Sequence, residues 1–348
     1  MTDKGFINEL MHARSRRRRQ FLRTAILLLV VIVGGFFVFL MVGTRNYSFM
    51  QVIGVIIGEN IPGASYAVGE IRLPRASLAV AVGFSFGTAG YSFQSLLRNQ
   101  LASPDIIGIS SGASAVGVIA IVLLGWGQTA VSLAALVGAL VTALAIYLLS
   151  ATAAGGFAGT RLILIGIGIS AMLMSVVSFV LSQAAVWDLA TASRWLSGSL
   201  NGATWERTVP VVISCSVVVP FLVVQSHRLY LLLLGDDSAA ALGISVAATR
   251  LKVVIAAVFL VAIATASSGP VSFVAFMSGP IAMRISRPGP ATLLVSGLVG
   301  AILVLISDFI GQYLLGVRYP VGVITGILGA PFLVYLLIAQ SGAKGSTL

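Results

Sequence analysis

Residues 25–42 read AILLLVVIVGGFFVFLMV, a run of eighteen residues without a charged side chain. A helix that crosses the hydrocarbon core of a membrane needs about 20 apolar residues. The basic run Arg16–Arg19 comes just before the stretch, which is typical of the cytoplasmic flank of a first transmembrane helix. We therefore expect residues 22–44 to form a membrane-spanning helix.

Nine further apolar stretches follow along the chain. They lie at 73–97, 106–125, 129–151, 161–184, 208–225, 250–268, 271–285, 290–315 and 320–340. The chain is 58% hydrophobic and only 9% charged, a ratio far from that of a soluble domain. It is therefore predicted to be an all-α, polytopic membrane protein with about ten transmembrane helices. Its domains would be a basic cytoplasmic arm at 1–21, a single membrane domain at 22–340 and a cytoplasmic tail at 341–348.

The distribution of charge predicts the orientation. The chain has 21 basic and 10 acidic residues, a net charge of +11. With the N-terminus inside, ten spans place fifteen basic residues on the inner side and six on the outer side, as the positive-inside rule requires. Both termini are then cytoplasmic, and the basic residues face a lipid bilayer rather than nucleic acid. The six outer residues are Arg45, Arg72, Arg75, Arg194, Arg207 and Arg318.

Catalytic and cofactor motifs are missing from the sequence. It has no GxxxxGK[ST] phosphate loop, no HExxH pair and no Ser/His/Asp set. Cys215 is the only cysteine, so neither a disulfide nor a cysteine metal cluster is expected. Asp308 alone lies well inside an apolar stretch, where a charge costs roughly 2.5–3.5 kcal/mol on insertion scales. It is either a functional group or a hydrogen-bonded structural one, and we expect no catalytic residue, metal site or cofactor on this chain.

Glycine spacing predicts close helix packing. Gly83 and Gly87, and also Gly322 and Gly326, are separated by three residues within apolar stretches. Small residues at this spacing let two helix backbones approach closely.

A polar segment, GDDSAAALG at 235–243, separates two apolar stretches. Asp236 and Asp237 are suited to cap a helix N-terminus, and Gly243 can adopt the left-handed turn that ends a helix. About two turns of helix are not stable alone in water, so a packed partner is expected. In a membrane protein that has no ATP-hydrolysing site of its own, such an element is where a second protein would make contact and drive movement.

A set of motifs resembles the FecCD/BtuC-type permeases of bacterial ABC importers, in order and spacing, over about residues 70–338. The resemblance implies ten helices per subunit, a second permease subunit that is identical or similar, and a central path between the two. It also implies two ABC ATPases, which bind ATP and Mg, and an extracytoplasmic binding protein that delivers the chelate. The motifs are RLPR at 72–75, RNQLASP at 98–104, RWLSGSL at 194–200, LGD at 234–236, GPVSFV at 269–274, YPVGVITG at 319–326 and GAPF at 329–332.

The resemblance also assigns roles to particular residues. Arg72 and Arg75 match a pair that docks the acidic residues of the binding protein, with snorkelling toward lipid phosphates as the alternative. Arg318 stands where family members commonly carry an acid, and it is a candidate replacement docking contact. Gly159 and Thr160 match the cytoplasmic gate. The coupling helix, which would seat in the ATPase unless it is an ordinary loop helix, comprises Gly235, Asp236, Asp237, Ser238, Ala241, Leu242 and Gly243.

These observations predict a transmembrane permease subunit that moves ferric siderophores across the bacterial cytoplasmic (inner) membrane. Haem or cobalamin import is the alternative within the same family. An ion-coupled secondary carrier is the alternative from another class, and it would need ion-coordinating carboxylates near the midplane. A membrane enzyme or scaffold is disfavoured because the chain has no polar catalytic cluster.

Overall fold

The computed structural model describes residues 3–151, 159–286 and 288–345, which form a helical bundle. The long helices are built largely from apolar and small residues, and glycine, proline or polar residues occur in many of the connections between them. In chain order the helices are α1 (Asp3–Met41), α2 (Phe49–Ile57), α3 (Leu73–Leu96), α4 (Pro104–Ile107), α5 (Ile109–Val122), α6 (Gln128–Ser150), α7 (Gly159–Ser182), α8 (Val186–Leu196), α9 (Trp205–Leu232), α10 (Asp236–Ala241), α11 (Val246–Ser268), α12 (Val274–Ile285), α13 (Thr292–Tyr313) and α14 (Val321–Gly345).

The ten predicted apolar stretches each coincide with one helix. In the described part of the chain, eight helices are long and apolar enough to cross a membrane, and α5 and α12 are shorter apolar helices. The prediction of an all-α membrane protein with about ten transmembrane helices is confirmed. α1 is longer than its apolar stretch, because the helix begins at Asp3 and continues through the basic arm.

The connection between α1 and α3 contains more helix than the hydropathy pattern showed. α2 begins with a capping box in which the side chains of Ser48 and Gln51 each accept from the other's backbone N–H, and it ends at Gly58 with φ 99°. A π-helical segment, Ser65–Arg72, then runs directly into α3. This segment carries Arg72 into the bundle at the point where α3 begins.

α3 is the central helix of the bundle, and it packs against α9, α11, α12 and α13. Nearly all of its residues from Gly83 to Leu96 are buried, including several serines and threonines. Two of these hydroxyls bond to the backbone of their own helix: those of Thr88 and Ser92 donate to the carbonyls of Phe84 (2.6 Å) and Thr88 (2.8 Å). Because their polar groups are satisfied within the helix, they can be buried at small cost.

The predicted glycine contacts are confirmed for three of the four residues. A Cβ on Gly83 would lie 2.7 Å from Cα of Ala301 on α13, and Gly87 meets the backbone of the same helix. Gly322 packs against the backbone after α8. At Gly326 no described atom outside its own turn of helix lies within 4 Å of the Cβ position, so close packing there stays a prediction.

Successive long helices run in opposite directions, so the bundle has two ends. The N-terminus of α1, the turn between α3 and α4, α10 and the start of α13 lie at one end, here called the arm end. The hydroxyl of Thr24 on α1 donates to the carbonyl of Ile285 there, at 3.5 Å. The start of α3, the start of α9 and the turn between α13 and α14 lie at the far end.

Large apolar side chains cover the outside of α1, α7 and α14. Leu27, Leu164 and Ile338 are each more than 60% exposed. Continuous apolar surface of this kind is stable only against lipid or another protein subunit.

Candidate functional site

The polar segment at 235–243 forms the short helix α10, as predicted. Gly235 precedes the helix with φ 111° and ψ 155°, and Gly243 follows it with φ 81°. Residues with a Cβ rarely adopt either conformation. The N–H of Gly243 donates to the carbonyl of Ala240 at 2.9 Å and so closes the last turn. The prediction that Gly243 ends the helix in a left-handed conformation is confirmed.

The two aspartates do not cap α10, and this part of the prediction was wrong. No side chain caps the first turn. Instead, Oδ1 of Asp236 accepts a hydrogen bond from Nη2 of Arg98, in the turn after α3, and another from Nη2 of Arg250 on α11, the latter at 2.8 Å. Two guanidinium groups offer charge-assisted hydrogen bonds, which are stronger than a bond from a neutral backbone N–H. Asp236 therefore ties α10 to the turn after α3 and to α11.

The sequence did not identify either arginine as a partner of Asp236. Arg98 is 138 positions from Asp236, and it adopts a left-handed backbone conformation with φ 48° that hydropathy does not show. The available signal was the placement of Arg98, Arg250 and Asp236 on the same predicted side of the membrane.

The remaining surface of α10 faces away from the bundle. Asp237, Ser238 and Ala241 are exposed, and Leu242 is 60% exposed, whereas Ala239 is fully buried. The helix thus has one face held by the bundle and one bare face with an apolar residue. This geometry is suited to binding a partner protein.

The turn between α3 and α5 at the arm end is held by its own side chains. Ser103 precedes α4, and the hydroxyl of Ser110 donates to the carboxylate of Asp105 at 2.8 Å. Burial raises the pKa of Asp105 to about 6, and the hydrogen bond from Ser110 opposes that shift. Asp105 therefore supports the turn from within the first turn of α4.

At the far end, Arg72 is buried. Its Nη1 donates to the carbonyl of Leu40 at 2.7 Å, its Nη2 to the carbonyl of Arg45 at 2.6 Å, and the guanidinium lies 5.1 Å from the ring centroid of Tyr47. The absence of a side chain at Gly43 leaves the space that the guanidinium fills. These contacts tie the end of α1 to the start of α3.

Arg75 makes a bidentate ion pair with Asp308, across α3 and α13. Nε lies 2.6 Å from Oδ2 and Nη2 lies 2.8 Å from Oδ1, while Nη1 donates to Oδ1 of Asn201 at 2.8 Å. The side chain of Asp308 is fully buried. Both carboxylate oxygens of this intramembrane acid therefore accept hydrogen bonds from an arginine. Of the two roles expected from the sequence, functional and structural, this arrangement matches the structural one.

The three predicted docking residues share one cavity. Arg72, Arg75 and Arg318 line a space of about 180 Å³ between the ends of α1, α3 and α13. Arg318 is exposed, whereas Arg72 and Arg75 have partners within the chain. The structure thus brings the three arginines together, and docking through them stays a prediction.

The predicted gate falls at an edge of the described chain. Gly159 and Thr160 begin α7, but their side chains lie outside the described residues, as do residues 152–158. The gate stays a prediction.

Over residues 3–151, 159–286 and 288–345, no cluster of three or more His, Cys, Asp or Glu side chains that could hold a metal ion occurs. Cys215 is a free, half-buried thiol on α9. The polar groups described above can hold helices together and bind proteins.

Comparisons with known proteins agree on one family. Residues 27–339 match the model of the FecCD transport family. The chain is 41% identical over 298 residues to the ferric enterobactin transport system permease protein FepG of Escherichia coli (strain K12), covering 84% of this chain and 89% of that protein. It is 36% identical over 305 residues to the achromobactin transport system permease protein CbrC of Dickeya dadantii (strain 3937), covering 86% and 87%.

The fold is similar to that of a solved transporter. A metal-chelate type ABC transporter in an inward-facing conformation superposes with a TM-score of 0.79 and 26% identity, covering 91% of this chain and 99% of that one. The family match extends over most of the chain, and the helices and motifs described above lie within it. The chain is therefore a membrane permease of the FecCD transport family.

Proposed function

We propose that this chain is the membrane-spanning subunit of an ATP-driven importer of ferric siderophores. The single observation that carries the proposal is α10, a short helix anchored by Asp236 on one face and bare on the other. A helix of this form can transmit a push from a cytosolic ATPase as a rigid body. The two named relatives are permeases of siderophore transport systems, which favours a siderophore over haem or cobalamin as the cargo.

The proposed assembly contains two permease subunits, two ATPases that bind ATP and Mg, and an extracytoplasmic siderophore-binding protein. The arm end then faces the cytoplasm, with both termini inside, and the far end faces the binding protein. The apolar surfaces of α7 and α14 supply contacts to the second permease subunit and to lipid. Gly159 and Thr160 are proposed to lie at the cytoplasmic gate.

The ion pair between Asp308 and Arg75 argues against an ion-coupled carrier. Such a carrier needs carboxylates that can bind an ion or a proton near the midplane. Both oxygens of Asp308 bond to Arg75, so this carboxylate does not serve as an ion ligand in the observed arrangement.

Reversing charge on the bare face of α10 is expected to uncouple transport. In proteoliposomes containing the complete importer, Asp237→Lys should reduce ATP-driven uptake of radioactive iron chelate at least tenfold, because it alters the surface that the ATPase contacts. Asp236→Asn should have a similar effect by releasing α10 from Arg98 and Arg250. Both variants should keep the thermal unfolding midpoint of the parent chain, since Asp237 is exposed and the ion pairs of Asp236 are partly exposed to solvent.

Glu206→Lys is the matched control, because Glu206 is an exposed acid at the far end. Its uptake should equal that of the parent. Concentrative uptake without the ATPase would favour the carrier instead, and uptake of cobalamin in place of iron chelates would change the cargo. Full activity after deletion of residues 235–243 would remove the basis of the proposal.

Arg318→Glu is expected to weaken docking of the binding protein by about tenfold at low ionic strength. Rim charges act mainly on the association rate, so the difference should shrink as salt is raised. Arg318 is the right probe because it is exposed, whereas replacing Arg72 or Arg75 would also break contacts inside the bundle. Surface plasmon resonance on nanodiscs at several salt concentrations measures the effect.

Arg45→Glu provides the control for docking. Arg45 is exposed at the same end, outside the cavity that Arg318 lines. If both variants weaken binding equally, the effect comes from the overall positive charge at the far end, and the docking role of Arg318 is refuted.

A further inference from the structure

A second cavity at the far end has a positively charged lining. It occupies about 290 Å³ between the ends of α5, α6, α8, α9 and α11, apart from the three-arginine cavity. Arg194 and Arg207 contribute two positive charges to its wall, and Trp126, Gln128, Trp195 and Asn201 also line it. Its lining includes no aspartate or glutamate. A cavity with two cations and no acid attracts an anion.

Arg207 is a buried cation without a counter-ion. It is 9% exposed, and it forms no ion pair with any acid in the described part of the chain. Its Nη1 donates to the carbonyl of Gly202 at 3.2 Å, and its Nη2 to the carbonyl of Ser267. Its Nε–H has no acceptor among the described residues. A buried charge is costly unless it is paired, so an anion next to Arg207 would relieve a cost that carbonyl groups only partly offset.

Trp195 supplies a second donor without a partner. The residue is 6% exposed, and its indole Nε1–H has no acceptor among the described residues. The six-membered part of the ring packs over Gly117, whose missing side chain leaves space for it. Buried tryptophan N–H groups ordinarily have a hydrogen-bond acceptor. Two orphaned donors, on different helices, thus belong to residues that line the same cavity.

Arg194 adds further hydrogen-bond donors, at the mouth of the cavity. Only its Nε is engaged, by donation to the carbonyl of Ala190 on its own helix at 3.2 Å. Its two terminal nitrogens have no partner among the described residues. The side chain is exposed, so it can reach a ligand that enters from outside the bundle.

We propose that this cavity binds a small oxyanion, which carries carboxylate or phosphate oxygens. The guanidinium of Arg194 is its donor at the mouth, and the buried Nε–H of Arg207 and indole N–H of Trp195 become donors when their side chains turn toward the ligand. Guanidinium groups bind planar or tetrahedral oxyanions through parallel N–H bonds, which makes arginine suited to such ligands. The volume lies at the lower end of the range for small-molecule sites, so it fits a compact anion rather than a large organic ligand.

The full-length protein in nanodiscs can be titrated with sodium malonate and, separately, with sodium phosphate, at ionic strength held constant with sodium chloride. Because Trp126 and Trp195 line the cavity, a bound anion should produce a saturable change in tryptophan fluorescence with at least one of the two probes. The same probe should raise the thermal unfolding midpoint, since it binds only the folded state. The probe that saturates at the lower concentration identifies the carboxylate or the phosphate class.

Arg194→Gln should weaken the response to that probe at least tenfold without changing the unfolding midpoint in chloride, because Arg194 makes only a local contact. Arg207→Gln should weaken it further, and if that variant fails to fold, Arg194→Gln still decides the question. Arg45→Gln removes an equal charge at the same end outside the cavity and should leave the response unchanged. A linear, non-saturating response to both anions, or an unchanged response in Arg194→Gln, would overturn the proposal.

Discussion

Replacing Asp308 by alanine is expected to lower the free energy of unfolding by about 3–5 kcal/mol, the loss typical when one partner is removed from a buried ion pair. The variant would leave the guanidinium of Arg75 at the junction of α3 and α13 with only Asn201 as a partner. Thermal unfolding in detergent, followed by circular dichroism, measures the change. The effect should be among the largest of any single polar substitution in the bundle.

The double variant Arg75→Met with Asp308→Leu separates charge from packing. Apolar residues of similar size commonly replace a buried ion pair with little loss of stability. The double variant should therefore recover most of the stability that Asp308→Ala loses. If Asp308→Ala unfolds at the same temperature as the parent, the ion pair does not hold α3 to α13, and a transport role for this carboxylate would have to be reconsidered.

Replacing Gly300 by leucine is expected to prevent correct packing of the bundle. A Cβ at this position would lie 3.0 Å from Cα of Gly87 and closer still to the carbonyl oxygen of Gly83, and both atoms belong to the backbone of α3. Overpacking typically costs about 1–3 kcal/mol, and more where the neighbour cannot move. Because α3 is enclosed by four other helices, it has no room to retreat. The yield of monodisperse protein in size-exclusion chromatography should fall sharply.

Gly34→Leu is the matched control for this substitution. Gly34 lies on the exposed side of α1, and no other described atom lies within 4 Å of its Cβ position. The control makes the same chemical change within an apolar helix, so its yield and unfolding midpoint should match those of the parent. Equal loss in both variants would mean that leucine at any transmembrane glycine is harmful, and that the contact between α3 and α13 has no special role.

The sequence predicted the membrane helices well because hydrocarbon imposes a simple rule of length and composition. Predicting the contacts of individual polar residues required information that this rule does not contain. Arg72 resembled an exposed docking residue, yet it is buried because Gly43, distant in sequence, leaves space for its guanidinium. Asp236 resembled a helix cap, yet Arg98 and Arg250 compete successfully for its carboxylate.

Helices outside the apolar stretches were harder to predict. α2 lies in the connection between α1 and α3, outside the predicted apolar stretches. α8 was missed, because it contains Asp188 and Arg194 and has too little apolar sequence to be recognised as a membrane helix. The candidate docking arginines were found through motifs, but their grouping around one cavity depends on how α1, α3 and α13 meet.

The continuous 39-residue α1 has a geometric consequence for any assembly. At 1.5 Å per residue it is about 58 Å long, roughly twice the thickness of the hydrocarbon core. The surplus of about 28 Å extends beyond the hydrocarbon core as a stiff post at the arm end. If the proposed ATPase binds at α10, it must fit alongside this post, which limits the directions from which it can approach.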